Sequence, residues 1–177
     1  MMSIFDDMDS PFYKSALTFS VDEIEPKVFS KFIANRFEKG NRRIKKDVIT
    51  QILQFADGVS GDVQELCEAL WETTEDNDEI TTEHFAVALD LIFSRELGGY
   101  ETIVERLTPA QSAVLKAMAN VRTSEPYSVD FISKVGRPAS SIHRVIEKMI
   151  SERVIFMKKN TYHFSNPFFR EWLVRKQ

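Results

Sequence analysis

The side chains best suited to contact another molecule form a polar and basic set near the C-terminus. They are Ser140, Ser141, His143, Arg144, Lys148, Lys158 and Lys159. Hydroxyl, imidazole and guanidinium groups can hydrogen-bond to the edges of bases, and ammonium groups neutralise phosphates. The pattern therefore predicts contacts with DNA; the alternative is that these side chains are only solvated.

Three predicted elements position this set. Ser128 is a suitable N-cap for a short helix over residues 129–135, which the Gly-Arg-Pro sequence at 136–138 ends. A second helix begins at Ser140 or Ser141. Its apolar positions recur at helical spacing and are Ile142, Val145, Ile146, Met149 and Ile150. The β-rich runs 154–157 and 161–164 then predict a two-stranded hairpin.

One more amphipathic helix precedes these elements, with Thr108 as its cap and Pro109 at its first position. Helix, helix, helix and hairpin in this order are typical of a winged helix-turn-helix. In such folds the second helix of the helix-turn-helix enters the DNA major groove, when the fold binds DNA at all. The two lysines would then lie at the tip of the wing.

Charge is unevenly distributed along the 177 residues, whose net charge is −4. From residue 108 onward there are 12 basic and 5 acidic residues, a net charge of +7, so the preceding part carries −11. This asymmetry is typical of a nucleic-acid-facing module joined to a part with a different role. Solvated charged faces are the alternative.

The acidic N-terminal part predicts a bundle of four short amphipathic helices. They begin near Pro26, near residue 46, after Gly61, and at a cap formed by Thr81 or Thr82. The glycine pair at 98–99 is expected to end the fourth helix. The expected fold is therefore mostly α, with a helical, lid-like bundle over residues 1–99 and a winged-helix domain over 100–177.

An acidic loop at 72–79 connects two helices of the bundle and invites comparison with a calcium-binding EF-hand. Counted from Asp76, the position that requires glycine holds Thr81, and the position of the bidentate glutamate holds Val87. The loop is therefore predicted to be a solvated connection and not a metal site.

The last helix is predicted to begin at Pro167 with Asn166 as its cap, and its aromatic residues form a candidate docking face. They are Phe168, Phe169 and Trp172. This face is expected to pack against a neighbouring helix or to meet a partner.

The sequence lacks the usual residues for catalysis. No phosphate-binding G-x-x-x-x-G-K-[ST] motif and no metal-ligand spacing of His, Cys and carboxylates are present, so the chain alone is expected to be a non-enzyme without a cofactor. The single cysteine, Cys67, fits a reducing cytoplasm, and no apolar run is long enough to span a membrane.

Several stretches together resemble the C-terminal half of archaeal-type P-loop ATPases. These are AAA+/STAND-like proteins, similar in layout to origin-recognition ATPases. The matching stretches are PFY at 11–13, QELCEALWE at 64–72, LTPAQSAVLKAMA at 107–119, PASSIHRVIEKMI at 138–150 and YHFSNPFFREWL at 162–173. The resemblance implies that residues 1–99 form the helical lid and the remainder the winged helix. The ATP- and Mg²⁺-binding core would lie upstream of Met1.

Two positions depart from the family pattern. Gly58-Val59-Ser60 replaces a common Gly-His-Pro at the head of the third lid helix, and Asn166-Pro167 replaces Asp-Pro. The first departure argues against nucleotide sensing by the lid.

Three functions remain open at this point. The first is a DNA-binding and regulatory arm of an ATPase. The second is a protein–protein interaction module that contacts the ATPase core or another protein. The third is a free-standing winged-helix transcription regulator, which would usually be a dimer.

Overall fold

The computed structural model describes residue 11 and residues 24–121 and 125–176. The elements in these residues are α1 Pro26–Lys39, β1 Arg43–Ile44, α2 Lys46–Phe55, α3 Ser60–Glu72, β2 Glu79–Ile80, α4 Thr82–Glu105, α5 Pro109–Asn120, α6 Val129–Val135, α7 Ala139–Ser151, β3 Ile155–Lys158, β4 Thr161–Phe164 and α8 Pro167–Arg175. The predicted mostly helical fold with a small hairpin is confirmed. The lead-in stretch at 12–13 lies outside the described residues.

Helices α1 to α4 pack around a continuous apolar core. On α1 the buried residues Phe29, Ile33 and Phe37 are spaced by four, so they form one stripe along the helix. Ile52 on α2 and Leu66 on α3 are completely buried opposite this stripe. The four predicted helices therefore exist.

The acidic side chains of the loop at 72–79 are mostly exposed, as its composition predicts, but the loop is also docked on the bundle through Arg42. Arg42 is 8% exposed; its Nη2 donates to the Thr74 carbonyl oxygen at 3.0 Å, and its guanidinium lies 3.9 Å from the centre of the Trp71 ring. Asp76 pairs with Arg42 at 3.1 Å. The end of the loop, β2, pairs in parallel with β1. The loop is docked because a buried guanidinium needs several acceptors, and the loop supplies them.

The prediction that the fourth helix ends at Gly98 and Gly99 is wrong. Helix α4 continues through both glycines for 24 residues, although each glycine lowers helix stability by about 1 kcal/mol relative to alanine. Helix α8 packs on α4 on both sides of the pair: Tyr100, directly after the glycines, is buried against Trp172, and before them Asp90 binds Arg175 at 2.8 Å. Packing thus overrides local propensity. The division into two domains stays a prediction.

The caps of the C-terminal helices are mostly those that the sequence predicts. Thr108 accepts a hydrogen bond from the Gln111 N–H, and Ser128 accepts one from the Phe131 N–H. Gly136 adopts the left-handed conformation, with φ +66°, that ends α6. The N-cap of α7 is Pro138, so the predicted capping by Ser140 or Ser141 is wrong, and both serines lie in the first turn of the helix.

The wing is an antiparallel hairpin in which Ile155 pairs with Phe164 and Lys158 with Thr161. Lys159 and Asn160 connect the strands with φ values of +48° and +60°. Two consecutive residues with positive φ form the tight turn whose twist matches that of the strands.

Helix α8 places its aromatic face inside the protein. Phe168 lies 5.2 Å from Phe55 of α2, and both Phe169 and Trp172 lie 5.4 Å from Tyr100 of α4, measured between ring centres. All three side chains of α8 are buried. Their assignment as a docking face for an external partner is therefore corrected: the apolar helices of the same chain already cover them. The alternative expectation, packing against a neighbouring helix, is confirmed.

Candidate nucleic-acid interface

Helix α7 is strongly two-sided. Ile142, Val145, Ile146 and Met149 are buried beneath it, while Ile150, which the periodicity also places inward, is 40% exposed near the C-terminal end. The polar residues predicted to contact DNA lie on the outer side. Ser140, His143, Arg144 and Lys148 are exposed, and Ser141 is half-buried.

Arg144 occupies the middle of this outer side. Within the described part of the chain its guanidinium forms no ion pair, so its five N–H donors are available to a ligand. Lys148, one turn further on, lies 3.7 Å from Glu152. The two side chains of this pair are 56% and 48% exposed, so the pair contributes little energy.

His143 is held by neighbours on both sides of its ring. Its Nδ1 lies 2.9 Å from the Tyr127 hydroxyl and its Nε2 lies 3.4 Å from Glu147. Burial, and secondarily the nearby Tyr162, raises the pKa of Tyr127. Tyr127 connects the loop before α6 to α7. Sequence reasoning missed this residue because nothing in its local pattern marks it.

The two lysines predicted to contact DNA from the wing differ in exposure. Lys159 is exposed in the turn. Lys158 instead turns toward the bundle, where its Nζ lies 3.7 Å from Asp57 Oδ2 and donates to the Asp57 carbonyl oxygen at 3.3 Å. Lys158 is the last residue of β3 before the turn, at the wing tip as predicted, but its side chain contacts the bundle. Strand alternation explains it, because Lys158 shares a face with Phe156 and that face meets the α2–α3 loop.

The fold and the exposed second helix of the helix-turn-helix define the C-terminal part as a winged helix. A family model described as a probable winged helix domain matches residues 98–175. Among curated protein sequences none matches this chain.

The solved structure of a Walker-type ATPase of Pyrococcus abyssi is similar to the whole arrangement. The two chains are 18% identical, and the TM-score is 0.63 over 97% of this chain and 48% of the ATPase chain. This chain thus spans about half the length of that protein, with which it shares the fold. None of the described helices has the length and apolar character needed to cross a bilayer.

Proposed function

We propose that this chain is the non-catalytic, DNA-binding portion of a cytoplasmic AAA+-like ATPase, with α7 as its recognition helix. The observation that carries the proposal is Arg144 at the centre of the exposed face of α7, where it forms no ion pair with any residue that the structure describes. A guanidinium at this position of a winged helix can donate two hydrogen bonds to O6 and N7 of a guanine.

Electrostatics support the same face. Lys148 and Lys159 flank Arg144 along the helix and at the wing, where phosphates on either side of a major groove would lie. With three phosphate contacts, a plot of the logarithm of the association constant for a mixed duplex against the logarithm of the salt concentration should have a slope of about −2.7. Glu147, whose carboxylate lies 3.4 Å from His143 Nε2, reduces the local positive potential of this face.

The proposal is tested by fluorescence anisotropy with a mixed-sequence duplex at several salt concentrations. Arg144→Ala should weaken binding by about 1–3 kcal/mol and relax the preference at one base pair. Arg36→Ala is the matched control, because Arg36 is exposed on α1 of the bundle and its removal changes the net charge equally. Equal effects of the two substitutions, or no binding at tens of micromolar, would refute the proposal.

The relation to an ATPase is the second part of the proposal. It is supported by the similarity of nearly the whole chain to about half of a Walker-type ATPase. ATP and Mg²⁺ would be bound by a separate core, so isothermal titration of the purified chain with Mg-ATP should detect no binding. Micromolar binding that a point mutation in this chain abolishes would contradict this.

Protein–protein interaction remains the second candidate, favoured by a different surface. Val28 and Phe32 are more than half exposed on the same side of α1. If the DNA experiment fails, substitution of Phe32 by a polar residue and a test of binding to an ATPase core become the decisive measurement.

A further inference from the structure

Asp57, in the α2–α3 loop, contacts two side chains of the wing. Asp57 Oδ2 lies 3.1 Å from Nδ1 of His163 and 3.7 Å from Nζ of Lys158. The backbone carbonyl of Asp57 accepts a further hydrogen bond from Lys158. One residue of the bundle therefore binds two basic side chains of the wing.

The local backbone of this loop is specialised for that contact. Asp57 has φ +48° and the following Gly58 has φ +81°, both in the left-handed region. Aspartate tolerates this conformation better than most residues, because its short polar side chain can hydrogen-bond locally. The turn projects the carboxylate toward the hairpin and not back onto its own helix.

The face of the wing that meets Asp57 carries an aromatic pair and a lysine. Phe156 and His163 are cross-strand partners whose rings stack with centres 5.5 Å apart, and the His163 side chain is 14% exposed. Lys158 lies two residues further along the strand on the same side. Asp62 and Arg170 line the small cavity behind the contact, and burial raises the pKa of Asp62.

We propose that Asp57 is an autoinhibitory latch that withholds Lys158 from DNA. A carboxylate and a phosphate are both oxygen anions, so the ammonium group binds one at the expense of the other. While the latch is closed, Lys159 is the one of the two wing lysines that can meet a phosphate. This inference rests on the proposed DNA binding. It adds that DNA binding and the contact between wing and bundle oppose each other.

The coupling between DNA binding and the contact of Asp57 with the wing acts in both directions. If opening the latch increases affinity for DNA, then bound DNA must weaken the contact between Asp57 and the wing by the same factor. The bundle can thus influence DNA binding without touching the recognition helix.

The test uses the full chain and the substitution Asp57→Asn. Asparagine also tolerates the left-handed conformation, so the loop should fold as before. We expect roughly tenfold tighter binding to a mixed duplex at about 50 mM salt, with a salt slope steeper by about 0.9. Glu79→Gln removes the same charge from the Lys45–Glu79 pair of the bundle and should leave both values nearly unchanged.

A double-mutant cycle identifies the released cation. Lys158→Gln should hardly alter binding in the native background, because the lysine is already withheld. In the Asp57→Asn background the same substitution should remove the gain in affinity. A gain that survives the loss of Lys158, or no gain while both proteins bind DNA, would overturn the latch.

A measurement without DNA separates this inference from the proposed function. The rate at which an amine-acetylating reagent modifies Lys158, followed by mass spectrometry, should rise several-fold in Asp57→Asn and stay constant in Glu79→Gln. An unchanged rate overturns the latch. A raised rate together with absent DNA binding refutes the proposed function and with it the inhibitory role, while the contact itself stands.

Discussion

Replacing Trp172 by alanine is expected to destabilise the whole chain. The side chain is 6% exposed and packs against Tyr100 of α4 and, in a stacked arrangement, against Phe169 of its own helix. It therefore joins the C-terminal helix to the long helix that begins in the bundle.

The magnitude follows from this burial. A buried tryptophan truncated to alanine typically costs about 3–5 kcal/mol, since apolar contact is lost and a cavity remains. For a chain of this size each kcal/mol lowers the melting temperature by about 2–4 °C, so a fall of about 6–20 °C is expected.

The assay is urea unfolding followed by the helical circular dichroism signal. Val129→Ala is the control, because Val129 is 82% exposed and its truncation should change the free energy of unfolding by less than about 0.5 kcal/mol. Trp172→Phe should lower the free energy of unfolding by less than Trp172→Ala and by more than Val129→Ala. If Trp172→Ala shifted the urea midpoint no more than Val129→Ala does, the result would refute the described packing between α4 and α8.

Three further substitutions or reagents test other contacts. Gly98→Ala should raise the free energy of unfolding by about 0.5–1 kcal/mol, because the position lies inside α4 with open space around it; a lower urea midpoint would contradict a continuous helix. Gly40→Ala should lower it by about 1–3 kcal/mol, since the new Cβ would lie 1.7 Å from Trp71, whereas Gly61→Ala meets nothing within 4 Å and should not destabilise. Burial raises the pKa of the half-buried Cys67 to about 12, so a thiol reagent at neutral pH should label it much more slowly in the native than in the unfolded protein; equally rapid labelling of the two would contradict this.

Local signals were sufficient to predict most of the elements. Thr108, Ser128 and Asn166 cap their helices because each provides a side-chain oxygen beside free backbone N–H groups, which is a property of a few neighbouring residues. The hairpin was predictable for the same reason, since its strands and its turn adjoin in sequence.

The sequence did not predict contacts between distant residues. Asp57 and Lys158 are separated by 101 positions, and no local pattern shows that a loop carboxylate will face the wing. Arg42 and the docked acidic loop were missed likewise, because charge suggested solvent exposure. The glycine pair in α4 was misread because α8, more than sixty positions later, holds the helix together. In the candidate interface, periodicity identified the exposed face of α7 but not the internal partner of Lys158.

The continuity of α4 makes it a lever between the bundle and the winged helix. Its 24 residues extend for about 36 Å as one uninterrupted helix. A tilt of about 5° at one end would displace the other by about 3 Å. Hydrogen bonds to bases tolerate only a few tenths of an ångström, so under the proposed DNA binding a small movement of the bundle would be enough to bring α7 into or out of register with a groove.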